Sequence, residues 1–242
     1  MPLSNSRKEM AEAVALDLAS SFIRKKALGI VFLGALARGY FDDYSDIDIV
    51  VYKRKGVMLC WPREKEFKYR GFIIDLEVRN YERDLYRVWT LEERWVFSHA
   101  KIHFDPEGLI KDLLNLKVPL SQNERSNILR DETCKASWSI GDIDAWLYRG
   151  DIPSAHYAVT TAFKHLLRAL AALNNVPPPP DKWLINVAFS LPLRPPQLSE
   201  IVREVLLCKE MSAEDLHRRK AAVEDLMEWL ISHRQSLCLE QL

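Results

Sequence analysis

Apolar residues recur at four-residue spacing near the start of the chain: Met10, Val14, Leu18 and Phe22, with Ala11, Ala15 and Ile23 beside them. That period predicts a helix over 6–27, capped by Ser4 or Ser6, with one face for packing on a sheet. The pattern then changes. Ile30-Val31-Phe32-Leu33 is an unbroken apolar run that reads as a buried strand, and Gly34-Ala35 reads as a turn. A short segment ends at Gly39, a polar loop covers 42–45, and a second strand is read over Asp46–Tyr52. Phe72–Val78 is rich in β-branched and aromatic residues and predicts another strand. Glu82–Ser98, which carries Trp89 and Trp95, reads as one helix. Lys101–Phe104 reads as a strand, Asp105–Gly108 as a turn and Leu109–Leu116 as a helix.

From Ser121 onward strand signals vanish. Ser121 and Glu124 have the spacing of a capping box, and a helix is expected from there to about Arg149. Ser154–Asn174 is rich in Ala and Leu and apolar over much of its circumference, as the central helix of a bundle would be. The four consecutive prolines within Asn174–Asp181 make a rigid connector. Further helices are read over Lys182–Phe189, Leu198–Cys208 and Ser212–His233. The expected fold class is therefore α+β, with a small mixed-sheet domain over 1–118 and an all-α helical bundle over 119–242.

Charge narrows the functional classes. Lys and Arg number 34 and Asp and Glu also 34, so the net charge is zero and there is no general electrostatic case for nucleic acid or an anionic membrane. No apolar run approaches the roughly 20 residues a bilayer span needs. Cys60, Cys134, Cys208 and Cys238 are scattered without a C-x-x-C pair, which argues against structural zinc and suits a reducing, cytoplasmic setting.

The second strand begins Asp46-Ile47-Asp48. Side chains alternate along a strand, so the two carboxylates project on one side and repel each other unless a cation sits between them. A few carboxylates together with substrate phosphates are what Mg2+ prefers. The glycine turn after the first strand leaves backbone N–H groups at a helix start, where anions bind. A phosphate cradle beside an acid pair is the first functional reading.

Gly34-Ala35, Ala37-Arg38-Gly39 and Ser45-Asp46-Ile47-Asp48, in this order and spacing, resemble the signature of the nucleotidyltransferase superfamily that includes DNA polymerase beta and kanamycin nucleotidyltransferase. One position departs: Ala35 stands where that family usually has Ser. The resemblance implies two Mg2+ ions and a nucleoside triphosphate, ATP by preference, whose nucleotidyl group passes to a hydroxyl acceptor on a small molecule or a protein. Asp46 and Asp48 would be metal ligands, and a third acid from a later strand would complete the set. Asp75 and Glu77 both match that place, and Asp75 is favoured because it directly follows an apolar run. Gly34 and Ala35 would cradle phosphates. Arg38 would brace them or pair with Asp42 or Asp43, and Ser45 would fix the turn or touch the nucleotide. From the helical half, Lys164 and Arg168, four apart on one helix face, and Lys182, after the prolines, are candidate nucleotide contacts.

Two other readings stand beside this one. Some small members of the superfamily act with helical ribonuclease-type proteins in toxin–antitoxin pairs, and Arg149-(x6)-His156 resembles the Arg–His motif of those ribonucleases. The other is a nucleotide sensor without turnover, suggested by Ala35. The expected partners are a nucleotide and an unidentified hydroxyl acceptor, with neither nucleic acid nor membrane; a homodimer is compatible with all of this.

Overall fold

The computed structural model describes residues 3–59 and 64–239, and side chains from 6 to 234. Cys60 and the end of the apolar segment 57–61 lie outside the described residues. The chain divides into two compact units, 1–119 and 120–242.

In the first unit, helix α1 (Leu3–Arg24) is followed by β1 (Gly29–Phe32), the short helix α2 (Gly34–Arg38), β2 (Ile47–Lys53), β3 (Glu66–Tyr69) and β4 (Phe72–Asn80). Helices α3 (Tyr81–Tyr86) and α4 (Leu91–Phe97), strand β5 (Lys101–Phe104) and helix α5 (Leu109–Lys117) complete it. Among the described residues the strands form one mixed sheet in the order β3-β4-β2-β1-β5. The β2–β4 pair is parallel, and β1–β2, β1–β5 and β3–β4 are antiparallel.

Alternation along β2 and β4 decides what each face of the sheet holds. Ile47, Ile49 and Val51 with Phe72, Ile74 and Leu76 face the apolar side of α1, whose Ala11, Val14, Ala15, Ala19 and Phe22 join them in one core. Val31, Val50 and Tyr52 lie in a second core with Trp89, Phe97, Ile110 and Leu113, brought by α4, α5 and the segment before α4. Asp48, Asp75 and Glu77 belong to the same strand faces as Val50 and Tyr52.

Three elements differ from the sequence expectation. The helix read over 6–27 starts at Leu3, upstream of both serines expected to cap it. The helix read over 82–98 is two helices: Thr90 caps α4 with a full capping box to Glu93, so the chain turns at 87–90. Strand β3 is additional to the strands expected. It pairs with β4 through a two-residue turn at Arg70 (φ 48°) and Gly71 (φ 86°), the doubly positive φ that hairpin twist favours.

The second unit is helical: α6 (Gln122–Tyr148), α7 (Ile152–Leu173), a 3-10 turn (Asp181–Trp183), α8 (Leu184–Ser190), α9 (Leu198–Leu206) and α10 (Ala213–Leu239). Ser121 and Glu124 form the expected capping box. Helix α6 ends where Gly150 N–H donates to the Leu147 carbonyl and Asp151 N–H to that of Trp146, which satisfies its last carbonyls. Asp151 then caps α7 through Ser154 N–H at 3.0 Å. Helix α7 runs through the middle of this core: Val159, Ala162, Leu166 and Leu170 are fully buried, each leucine gaining roughly 1.5–3 kcal/mol from leaving water. No described helix is long and apolar enough to cross a membrane.

Candidate active site

The site is built on β1, β2 and β4, where the polar ends of their alternation meet. Asp48 in β2 lies directly beside Asp75 in β4, and Val50 beside Glu77. On the other side of β4, Glu66 in β3 stands directly opposite Asp75. Residues opposite one another share a face, so Asp48, Asp75 and Glu66 form a row of three acids across adjacent strands. Like charges in that position weaken a sheet. Asp46 shares this side by alternation, though β2 begins one residue after it, at Ile47.

Gly34 closes the row at its β1 end. Its φ is +56°, and a Cβ built there would lie 1.8 Å from Asp48 Oδ2 and 2.9 Å from its Cγ. Backbone and carboxylate thus approach as only glycine permits. Leu33 N–H also donates to the Asp48 carbonyl at 3.1 Å, which locks the turn to the acid strand.

Asp75 carries the most informative atom. Its Oδ1 is buried and accepts no hydrogen bond, while Oδ2 takes one from Lys65 Nζ at 3.2 Å. A buried carboxylate oxygen without a donor is costly, and oxygen-only donors of this kind suit a hard divalent cation. Asp48 and Asp75 fit that group. Among the described residues, no three His, Cys, Asp or Glu side chains converge as a ready-made ligand set.

Glu77, the alternative to Asp75, is used elsewhere. Its carboxylate pairs with Arg79 Nη2 at 2.8 Å. It begins a network in which Arg79 also reaches Asp84 (3.3 Å) and Glu93 (3.4 Å). Arg87 holds Asp84 at 2.6 Å and Glu93 through two bonds of 2.6 and 2.8 Å. Tyr52 Oη donates to Asp84, and the Arg79 guanidinium lies 4.8 Å over the Phe97 ring. Burial opposes ionisation of Glu93, but the Arg87 fork, the Thr90 N–H and the field of Arg79 together lower its carboxyl to about 2. Burial, with the charge of Asp84, pushes the Tyr52 phenol well up.

The remaining candidates fall in different places. Ala35 is buried in the core beneath α1, so a hydroxyl at this position would meet apolar side chains. The Arg38 guanidinium stacks on Trp95 at 4.0 Å, and Asp43, one partner expected for it, pairs with Arg7 at 3.0 Å. Ser45 is engaged in its turn, donating to Asp42 Oδ1 at 2.7 Å and accepting from Asp42 N–H.

In the second unit Lys164 pairs with Asp181 at 3.4 Å. Arg168 bonds the Pro179 carbonyl (3.4 Å) and lies 3.6 Å from Glu132, a buried acid that also accepts from His165 at 2.7 Å. Lys164 and Arg168, the candidate nucleotide contacts of this half, thus join the proline connector to α7 and α6. Lys182 is exposed on the 3-10 turn.

The ribonuclease-type reading does not survive the placement of its histidine. His156 is 3% exposed, its Nε2 faces the Ser212 carbonyl at 3.2 Å, and its Nδ1 contacts the buried Arg219. Arg149 lies over Trp146. A general base must reach its substrate, and this imidazole is enclosed.

Neither a protein-family model nor a curated protein sequence matches the chain. Among solved structures, a nucleotidyltransferase-like protein from Exiguobacterium sibiricum is similar, with a TM-score of 0.53 and 17% identity over 90% of this chain and 74% of that one. At this identity the likeness is one of fold. The chain has an α+β, nucleotidyltransferase-like fold with a mixed sheet and a largely helical C-terminal half.

Proposed function

We propose that the protein is a divalent-cation-dependent nucleotidyltransferase, passing the nucleotidyl group of a nucleoside triphosphate to a hydroxyl acceptor. The observation that carries this reading is the Asp48–Asp75 pair, set against a turn whose Gly34 leaves no room for a side chain. Asp48, Asp75 and Asp46 would hold the cations, which when bound supply Lewis-acid stabilisation of the phosphoryl oxygens. A new bond joins the acceptor oxygen to the α-phosphorus as the bond to the bridging oxygen breaks, and pyrophosphate leaves. Asp75 takes the proton of the attacking hydroxyl. Gly34 and Ala35 present N–H groups of the first turn of α2, which have no partners within the helix.

Calorimetric titration with non-hydrolysable triphosphate analogues, with and without Mg2+, tests this. The expected result is Mg2+-dependent binding that weakens at least about tenfold in Asp48→Asn, the scale on which groups around a bound metal act. Equal binding by wild type and variant, or no binding of any nucleotide in Mg2+ or Mn2+, would reject the assignment. Nucleotide binding with no turnover on any acceptor would favour the sensor reading.

A further inference from the structure

The row of acids has a built-in counter-ion. Asp75 stands between Asp48 on one neighbouring strand and Glu66 on the other, so two like charges press on it from directly opposite positions. The Lys65 ammonium, 3.2 Å from Asp75 Oδ2, is the cation that answers them. It sits one residue before β3, where its backbone is fixed, since the Lys65 carbonyl accepts from Leu76 N–H at 2.8 Å.

The two side chains differ in freedom. Lys65 is 65% exposed and Asp75 30%. A largely solvated ion pair is weakly held, and a lysine head is a compact charge on a flexible stem. Lys65 can therefore leave, whereas Asp75 cannot follow it.

We infer that Lys65 is a placeholder cation that competes with the divalent ion for Asp75. A divalent ion on the donor-less Oδ1 and the Lys65 ammonium on Oδ2 would place two like charges on one carboxylate, so each weakens the hold of the other. The carboxylate then exists in a lysine-held and a metal-held state, and the affinity measured for metal is reduced by the fraction held by lysine. Lys65 thus acts as a positioning residue that keeps Asp75 oriented and its charge answered between cation-binding events. The inference rests on reading the acid row as a divalent-cation site.

The test is Mn2+ binding to the full chain without nucleotide, followed by calorimetry or by the paramagnetic resonance of free Mn2+. Lys65→Met should bind Mn2+ about three- to tenfold more tightly than wild type, since it loses both a competing ion pair and a nearby like charge. Lys65→Arg should bind it more weakly than wild type, because a guanidinium fork grips a carboxylate through two bonds. Lys68→Met is the control: Lys68 shares the Glu66 face of β3 but stands opposite Ile73, so it shares the field and not the pair. If Asp48-dependent Mn2+ binding is present but Lys65→Met matches wild type or Lys68→Met, competition is rejected and the site reading stands. If no variant, Lys65→Met included, shows Asp48-dependent binding, the site reading fails and the competition with it. Matching thermal melts among the variants separate these outcomes from misfolding.

Discussion

Gly34→Ala is expected to cost the protein about 2–5 kcal/mol of stability and to abolish Mn2+ binding together. Two effects combine. At a φ of +56° an L-residue carries a conformational penalty of about 1–2 kcal/mol. The added methyl would also lie 1.8 Å from Asp48 Oδ2, so either the carboxylate leaves its place beside Asp75 or the turn after β1 moves, and local strain of that kind costs roughly 1–3 kcal/mol more. Gly39→Ala separates the two effects. Its φ is +83°, but the nearest atom to a new Cβ is Lys8 Nζ at 3.9 Å. It should show only the conformational penalty and keep its metal affinity. Urea denaturation and Mn2+ titration of both variants decide the matter; equal behaviour of the two would show that Gly34 is not pressed against Asp48.

The second large effect belongs to Asp84, which is 4% exposed and accepts from Tyr52, Arg79 and Arg87. Removing one partner from a buried ionic cluster leaves charges without compensation and typically costs about 3–5 kcal/mol. Asp84→Ala should fall at the lower end, since Arg79 keeps Glu77 and Glu93, and Arg87 keeps Glu93. A loss under about 1 kcal/mol in urea unfolding would mean that the members of the cluster are not coupled.

The same network gives a direction for pH. The Glu93 carboxyl is held at about 2, below its ordinary 4.5. A depressed folded-state value stabilises the protein above the unfolded value and loses that contribution as pH falls through the folded one. Stability should therefore decline between about pH 4.5 and 2, and in Glu93→Gln that segment of the profile should flatten.

How much of the fold the sequence disclosed depends on which signals are local. The apolar run before Gly34 and the alternation of Asp46-Ile47-Asp48 are local, and they placed β1, β2 and the acid pair. Helix α6 was equally plain, because Ser121 and Glu124 carry its capping box within one turn, and α7 was plain from its Ala- and Leu-rich run, though its Asp151 cap, which starts it at Ile152 and not at Ser154, was missed. The apolar run before Asp75 favoured it over Glu77 locally, whereas the register that sets Asp48 beside Asp75 is a non-local pairing that the sequence does not carry. Lys65 and Glu66 were missed for a related reason: β3 is a four-residue edge strand whose identity comes from pairing with β4. The Arg70-Gly71 turn was its one local clue. The Thr90–Glu93 capping box was legible and would have divided the helix read over 82–98. Lys164 and Arg168 share a face, as their spacing requires, but spacing could not reveal the acids and carbonyl that engage them.

The sheet order has a consequence for how the chain assembles. Gly34, Asp48, Glu66 and Asp75 all precede Asn80, whereas Trp89, Phe97, Ile110 and Leu113, which cover that face of the sheet, come after it. The parallel pairing of β2 with β4 therefore gathers mutually repelling carboxylates from a part of the chain that lies ahead of the apolar residues covering their face. Lys65 lies between the first acid strand, β2, and the second, β3, so the segment that carries the acids also carries a neutralising charge of its own, independent of the apolar layer that comes later in the chain.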